Sequence, residues 1–260
     1  MALAAATLEA GATSPPEAEQ ARAAPITKQE ARAWRPDARA ARRYANRRTG
    51  RVTFTVVDMA GRFHRHDGHH KVPMASTFKV MLMVAYLRQE SVDHRKLSKS
   101  ERAMIRRMIR RSDNTAATRI RDMLGRGPIE TLASRARMKN FEWNAIWGYC
   151  RTSARDQAFF MRTLRRYVPK RHWLFARRQL ANIIRWQRWG VGQVKPAGWD
   201  LYFKGGWGSG SGAVDHQVAQ LRNGHRRIGI GVTTEGNPSH DYGKQTLEGV
   251  FRRLLRGVPR

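Results

Sequence analysis

The order of strand and helix signals along the chain limits its fold more than any single residue does. Residues 51–58 are rich in β-branched side chains, and residues 62–66 suggest the return strand of a hairpin. Three further strand signals lie near the other end, at residues 199–205, 213–222 and 226–236, with a turn at Asn223-Gly224 between the last two. Because helix signals fill the interval, strands from the two ends must share one antiparallel sheet.

The interval between these strands predicts an inserted helical lobe. Its signals are the apolar run Val80–Leu87 and three amphipathic segments at residues 101–111, 115–124 and 155–166. A helix over residues 27–46 is expected before the sheet. A final helix is expected to lie on the sheet through a stripe formed by Leu247, Val250, Phe251, Leu254 and Leu255. A site is expected in the cleft between the lobes.

The domain prediction has two parts. Residues 1–26 are interpreted as a flexible leader or the remnant of an export signal, because they are rich in alanine but lack a positively charged start. Residues 27–260 are predicted to form a single domain, with an α/β lobe from 27–72 and 190–260 and a helical lobe from 73–189. No apolar run approaches the roughly 20 residues that span a bilayer.

The net charge of the chain indicates what its surface would attract, not which reaction it would catalyse. Fifty Lys and Arg against twenty Asp and Glu leave a net charge of +30. Such a surface attracts polyanions, and an anionic cell-wall polymer is one partner it would suit. The basic residues are spread along the chain, so a solvated basic surface is the simpler interpretation and no specific nucleic acid is predicted. Cys150 is the only cysteine, which excludes an intramolecular disulfide.

Ser76 and Lys79 place a hydroxyl and an amine three positions apart at the start of a predicted helix, so both project from one face. Burial against the following apolar run would lower the pKa of Lys79 and let it take the proton of Ser76. A Ser-x-x-Lys pattern occurs by chance about once in a chain of this size. Taken alone, the motif is more often a helix cap followed by a snorkelling lysine.

Two further motifs follow in the chain. Ser112-Asp113-Asn114 lies at the junction of two predicted helices, where such residues are also expected as caps. Lys204-Gly205-Gly206 ends a predicted strand, where glycines let a substrate backbone approach closely. Each of these motifs alone has an ordinary explanation, a helix cap or a flexible loop.

Together, in this order, the three motifs resemble the S-x-x-K, S-D-N and K-T-G signature of the serine β-lactamase and penicillin-binding protein superfamily. Residues 147–157 and 233–250 also look like segments of class A β-lactamase-related serine hydrolases. The resemblance covers roughly residues 27–258. It implies an α/β plus all-α fold, in which an antiparallel sheet is flanked by N- and C-terminal helices and carries an inserted helical lobe.

The resemblance also implies catalytic roles. Ser76 would be the nucleophile that becomes acylated, and Lys79 the general base beside it. Ser112 would pass the proton to the leaving nitrogen. Lys204 would polarise Ser112 and hold a substrate carboxylate.

Three further residues would bind the substrate. Asn114 would bond the substrate amide. The oxyanion would lie between the backbone N–H groups of Ser76 and Trp207, beside Gly206.

The resemblance implies a β-lactam or a peptidoglycan-like amide as substrate and no cofactor. It also implies a location outside the cytoplasm. A cell-wall enzyme acting on D-Ala-D-Ala peptides and a non-catalytic penicillin-recognising fold that binds anionic polymers are the alternatives.

The chain departs from the family pattern at two places. Gly205 replaces the Thr of K-T-G, which removes a hydroxyl and is expected to loosen the strand. The E-x-x-L-N glutamate that activates the deacylating water in class A enzymes has no match, since Glu130 and Glu142 are the only glutamates between Ser112 and residue 151. Acylation is therefore expected, and deacylation is expected to be slow.

No metal site is predicted. Four histidines lie close together at His64, His66, His69 and His70. No distant carboxylate or thiol pattern completes a ligand set around them.

Overall fold

The computed structural model describes Gln29, residues 34–208, Gly210 and residues 212–259. The predicted leader at residues 1–26 lies outside the described residues. One five-stranded antiparallel sheet has the order β2-β1-β7-β6-β5. Its strands are β1 (Arg51–Val57), β2 (Phe63–His66), β5 (Asp200–Gly208), β6 (Val214–Asn223) and β7 (Arg226–Glu235).

Strands from both ends of the chain share this sheet, as predicted. Strand β1 pairs with β2 on one side and with β7 on the other. The predicted turn between β6 and β7 is displaced by one residue: Asn223 still pairs with Arg226, so the loop is Gly224-His225. Gly224 has φ of 55°, a left-handed conformation that glycine adopts without strain.

The helices follow the predicted order. They are α1 (Ala38–Ala45), α2 (Lys79–Leu87), α3 (Glu90–Asp93), α4 (Lys99–Arg110), α5 (Asn114–Leu124), α6 (Gly127–Arg135), α7 (Ala154–Thr163), α8 (Trp173–Ala181) and α9 (His240–Leu254). The helix predicted over 27–46 is interrupted at residues 34–37, which are not helical; of its earlier part only Gln29, which is helical, lies within the described residues. Helix α1 begins at Ala38 because Asp37 caps it, accepting a hydrogen bond from the backbone N–H of Ala40 at 2.9 Å.

The middle of the chain is not entirely helical, which corrects the prediction. Strand β4 (Arg151–Ser153) pairs with β3 (Lys71–Pro73) in a separate two-stranded sheet. Each strand has only three residues, too few to show an alternating pattern in the sequence.

The large sheet carries a helix on each face. Gly229 and Gly231 open one face to α7, since a Cβ atom on Gly229 would lie 2.1 Å from the carbonyl oxygen of Ala158. The alternating Ile228 and Ile230 point to the opposite face. Helix α9 packs there against β6 and β7 through its buried apolar stripe, which confirms the expected C-terminal helix.

Helix α2 forms the centre of the helical segments. All nine of its residues are buried, including Lys79. A helix that is apolar on every side is surrounded by protein rather than lying on a surface. Within the described part of the chain, no helix is long and apolar enough to cross a membrane.

Candidate active site

Ser76 lies in a single 3-10 turn, Ala75–Phe78, directly before α2. The preceding residue, Ala75, has φ of 45°, in the left-handed region that an alanine rarely adopts. The Thr77 hydroxyl donates to the carbonyl oxygen of Met74 at 2.6 Å and holds the turn in place. Ser76 is half-buried, whereas the other three residues of this turn are buried.

Lys79 is fully buried beside Ser76. Its Nζ donates to Ser76 Oγ at 3.0 Å, to the Ser112 carbonyl oxygen at 2.5 Å and to Asn114 Oδ1 at 2.7 Å. Burial lowers the pKa of Lys79 to about 7, although the negative charge of Asp113 opposes this shift. A substantial share of the amine is therefore unprotonated at neutral pH and able to accept a proton.

The Ser112-Asp113-Asn114 turn separates α4 from α5. Asp113 caps α5 by accepting a hydrogen bond from the Ala116 N–H at 2.8 Å, as its residue type predicts. Ser112 has φ of 59°, in the left-handed region. In this conformation both its carbonyl oxygen and its hydroxyl lie within hydrogen-bonding distance of the Lys79 amine.

Lys204 reaches the same hydroxyl from β5. Its Nζ donates to Ser112 Oγ at 3.0 Å and to the Gly205 carbonyl oxygen at 2.6 Å, and the side chain is fully buried. Burial, reinforced by the positive charge of Lys79, holds the pKa of Lys204 well below its usual range. Ser112 Oγ therefore lies between two amines, 3.2 Å from Lys79 and 3.0 Å from Lys204.

Strand β5 and the turn of Ser76 approach each other closely at Gly206. A Cβ atom on Gly206 would lie 2.8 Å from the backbone nitrogens of Ser76 and Thr77. A cavity of about 220 Å³ opens at this point. Its lining includes Ser76, Asn114, Trp147, Tyr149, Trp207 and Gly210.

The structure brings together all seven predicted site residues. They are Ser76, Lys79, Ser112, Asn114, Lys204, Gly206 and Trp207. The roles assigned to them stay predictions.

Gly205 has a packing role that the sequence did not reveal. A Cβ atom at this position would lie 2.9 Å from the Trp189 ring, so that ring occupies the space into which the Thr of K-T-G would project. The strand is not loosened there, contrary to expectation, because Gly205 pairs with Gln217 and β5 continues to Gly208.

Glu142 does not lie with the site. Its half-exposed carboxylate forms an ion pair with Lys71 and lies 3.8 Å from Arg151 Nε. Among the described residues, no carboxylate is hydrogen-bonded to Ser76 or Lys79. The centroid of the Trp147 ring lies 4.9 Å from Lys79 Nζ.

Sequence reasoning missed the two aromatic residues that close the cleft. The Trp147 indole N–H donates to Thr118 Oγ1 at 3.1 Å, which fixes the ring beside Lys79. The Tyr149 hydroxyl donates to the Gly210 carbonyl oxygen at 3.0 Å, linking the two sides of the opening. The only signal was an aromatic pair around Gly148, which does not show which surface the rings face.

The histidine cluster has other partners. His64 Nε2 lies 3.0 Å from Asp58 Oδ2, and His70 Nε2 lies 2.6 Å from Glu235 Oε2. Over the described ranges, no group of three His, Cys, Asp or Glu side chains is arranged to hold a metal ion.

Comparison with known proteins identifies the fold through structure alone. No protein-family model matches the sequence, and no curated protein matches it. A solved β-lactamase from Sphaerobacter thermophilus superposes with a TM-score of 0.74 at 20% identity, over 85% of this chain and 97% of that chain. A class A β-lactamase from Mycobacterium abscessus gives 0.71 at 18% identity, over 85% and 98%.

A penicillin-binding protein, PBP-A, superposes as well. Its TM-score is 0.69 at 16% identity, over 84% of this chain and 93% of that chain. The chain therefore has the fold of serine β-lactamases and penicillin-binding proteins, which confirms the predicted fold class.

Proposed function

We propose that this chain, built on the fold of serine β-lactamases and penicillin-binding proteins, is a serine hydrolase that is acylated on Ser76 by β-lactams or peptidoglycan-like amides. The observation that carries the proposal is the buried Lys79 amine, 3.0 Å from Ser76 Oγ, with a pKa lowered to about 7. A serine next to an unprotonated amine is an activated nucleophile.

The acylation step follows from these distances. Neutral Lys79 takes the proton of Ser76 as Oγ attacks the substrate carbonyl carbon and a new C–O bond forms. The negative charge on the carbonyl oxygen is stabilised by the backbone N–H groups of Ser76 and Trp207. When the C–N bond breaks, Ser112 donates its proton to the leaving nitrogen and recovers one from the protonated Lys79, 3.2 Å away.

In this proposal, deacylation is the slow step of the reaction. A water that attacks the ester on Ser76 needs a base, and no described carboxylate is hydrogen-bonded to Ser76 or Lys79. Glu142 is held by Lys71 and Arg151 instead. The acyl-enzyme should therefore be long-lived, so turnover of a β-lactam should be weak. A D-Ala-D-Ala peptidase-like cell-wall enzyme is the alternative activity, and either one implies export.

Mass spectrometry of the intact protein after incubation with benzylpenicillin tests the proposal. We expect the mass to rise by one penicillin, on Ser76, and the adduct to persist well beyond the acylation time. Ser76→Ala should abolish the adduct, whereas Ser100→Ala, which changes an exposed serine, should leave it unchanged. A folded protein that gains no mass contradicts the proposal, and an adduct that disappears within seconds contradicts slow deacylation.

The net charge of +30 favours a second function, binding of an anionic polymer through the basic surface. This function does not need Ser76 and is compatible with acylation in one molecule.

A further inference from the structure

A second cavity, of about 150 Å³, adjoins the cavity that Ser76 lines. Asp215, Asn237 and His240 line it together with Trp207. Trp207 and Gly208 belong to both cavities, so a molecule bound at Ser76 has this second space next to it. The acylation chemistry proposed above does not use it.

Asp215 places a carboxylate in this cavity. The residue is 2% exposed. Its Oδ2 accepts a hydrogen bond from Asn237 Nδ2 at 2.8 Å, and its Oδ1 lies 2.6 Å from His240 Nδ1. Burial raises the pKa of Asp215 to about 6 against the opposing effect of His240, so the group is mostly ionised at pH 7 and above.

Asn237 adds an acceptor without a partner. The Thr234 hydroxyl donates to the Asp215 carbonyl oxygen at 2.8 Å, so Thr234 Oγ1 is the acceptor for Asn237 Nδ2 at 2.6 Å. These bonds fix the amide orientation, because both partners of Nδ2 need a donor. Asn237 Oδ1 is buried and accepts no hydrogen bond from the described residues, and such a group is costly to leave unpaired.

Two aromatic rings, those of Trp207 and His240, form part of the wall. The Trp207 and His240 rings are stacked with centroids 5.5 Å apart, and Trp189 packs edge-on against both. The face of a Trp ring attracts cations. No lysine or arginine is among the described residues that line the cavity. The nearby Lys244 is paired with Asp241 at 2.5 Å.

The Asp215 carboxylate, the unpaired Asn237 amide oxygen and the Trp207 ring form an environment that favours a positively charged hydrogen-bond donor. We propose that this cavity is a subsite for a primary ammonium group carried by substrates that acylate Ser76. The proposal rests on the proposed acylation for its link to substrates, but not for the binding itself. It is unexpected for a chain of net charge +30, whose surface would otherwise repel a cationic ligand.

Binding is tested on Ser76→Ala, which cannot be acylated, by following the Trp207 indole signal by NMR during titration with benzylammonium chloride at constant ionic strength. We expect a Kd on the order of 1 mM, typical of so small a ligand. Neutral benzyl alcohol, of nearly the same shape, should bind at least tenfold more weakly. If the two ligands bind equally well, the proposal is wrong. This comparison does not depend on any substitution in the cavity.

Asp215→Asn in the same background should weaken benzylammonium binding at least tenfold. Glu248→Gln removes the same charge from α9 outside this cavity and should leave the Kd within about twofold. If the two variants behave alike, the attraction is a general surface effect and the subsite is excluded.

The link to substrates is tested on the unmodified protein. Benzylammonium should slow acylation of Ser76 by benzylpenicillin, with half-maximal protection near its Kd, while benzyl alcohol should not. Binding without protection contradicts the role in substrate recognition. Absence of any acylation contradicts the proposed function instead and leaves the binding result standing.

Discussion

Lys79 shows how one buried side chain sets the chemistry of its neighbours. The amine lies among neutral acceptors, and the protein interior disfavours its charged form. The same environment that lowers its pKa also holds it 3.0 Å from Ser76 Oγ. Base strength and position therefore have one cause, the insertion of a lysine at the start of an otherwise apolar helix.

The acylation rate should depend on the protonation of Lys79. Only the neutral amine can take the proton of Ser76, so the rate should rise with pH through about 7 and level off above it. Below that pH it should fall by about tenfold per unit. Rates of benzylpenicillin adduct formation between pH 5.5 and 9 measure the profile.

Lys79→Met tests the same assignment, because it keeps the length of the side chain and removes the base. It should slow acylation by about 100-fold or more. Lys96→Met, at an exposed position, is the matched control and should leave the rate unchanged. A flat pH profile would show that another group accepts the proton.

The motifs predicted residues that the structure brings together, but not the residues that surround them. Ser76, Lys79 and Ser112 have fixed spacings at helix starts, which a sequence displays. Trp189 and Asp215 lie beside Gly205 and Trp207 only through contacts between distant segments. Nothing in the neighbouring sequence distinguishes Asp215 from another polar residue of a strand. Its contacts with Asn237 and His240 are apparent only in the folded structure.

At the scale of elements, the distance between β5 and the turn of Ser76 decides whether the site can work. Gly206 allows this approach, since any side chain there would meet the backbone of Ser76 and Thr77. The edge of β5 and the turn of Ser76 thereby lie close together, and the proposed oxyanion would lie between their N–H groups.

Gly206→Ala should force this separation to increase. A Cβ atom 2.8 Å from two backbone nitrogens has no flexible neighbour that can yield. We expect acylation to slow by about 100-fold or more, as when an oxyanion donor is lost, with a loss of stability of about 1–3 kcal/mol from overpacking. Adduct formation and urea unfolding measure the two effects.

Gly127→Ala is the control for this change, because nothing lies within 4 Å of a Cβ atom there. It should alter neither quantity appreciably. Normal acylation by Gly206→Ala would show that the oxyanion is stabilised elsewhere.

Periodicity predicted the long elements and failed for the short ones. Strands β1, β5, β6 and β7 and helix α9 are long enough for an alternating or helical pattern to appear. Strands β3 and β4 have three residues each and owe their pairing to each other, across about 80 residues of chain.

At the scale of the whole molecule, the net positive charge should affect the binding of anionic polymers rather than the acylation of Ser76. Affinity for fluorescein-labelled heparin, measured by anisotropy, should fall by about 100-fold or more between 50 and 200 mM salt, because binding releases counterions. Ser76→Ala should give the same affinity and the same salt dependence. Salt-insensitive binding, or none at 50 mM, would argue against the polymer-binding function.

The pairing of β1 with β7 has a consequence for how the protein is made. During synthesis, β1 and β2 leave the ribosome long before β7 exists, and a two-stranded hairpin alone is at best marginally stable in water. The central sheet can be completed only after Glu235 has emerged. Until then the edge of β1 that pairs with β7 has no partner, and an unpaired strand edge promotes aggregation of a nascent chain.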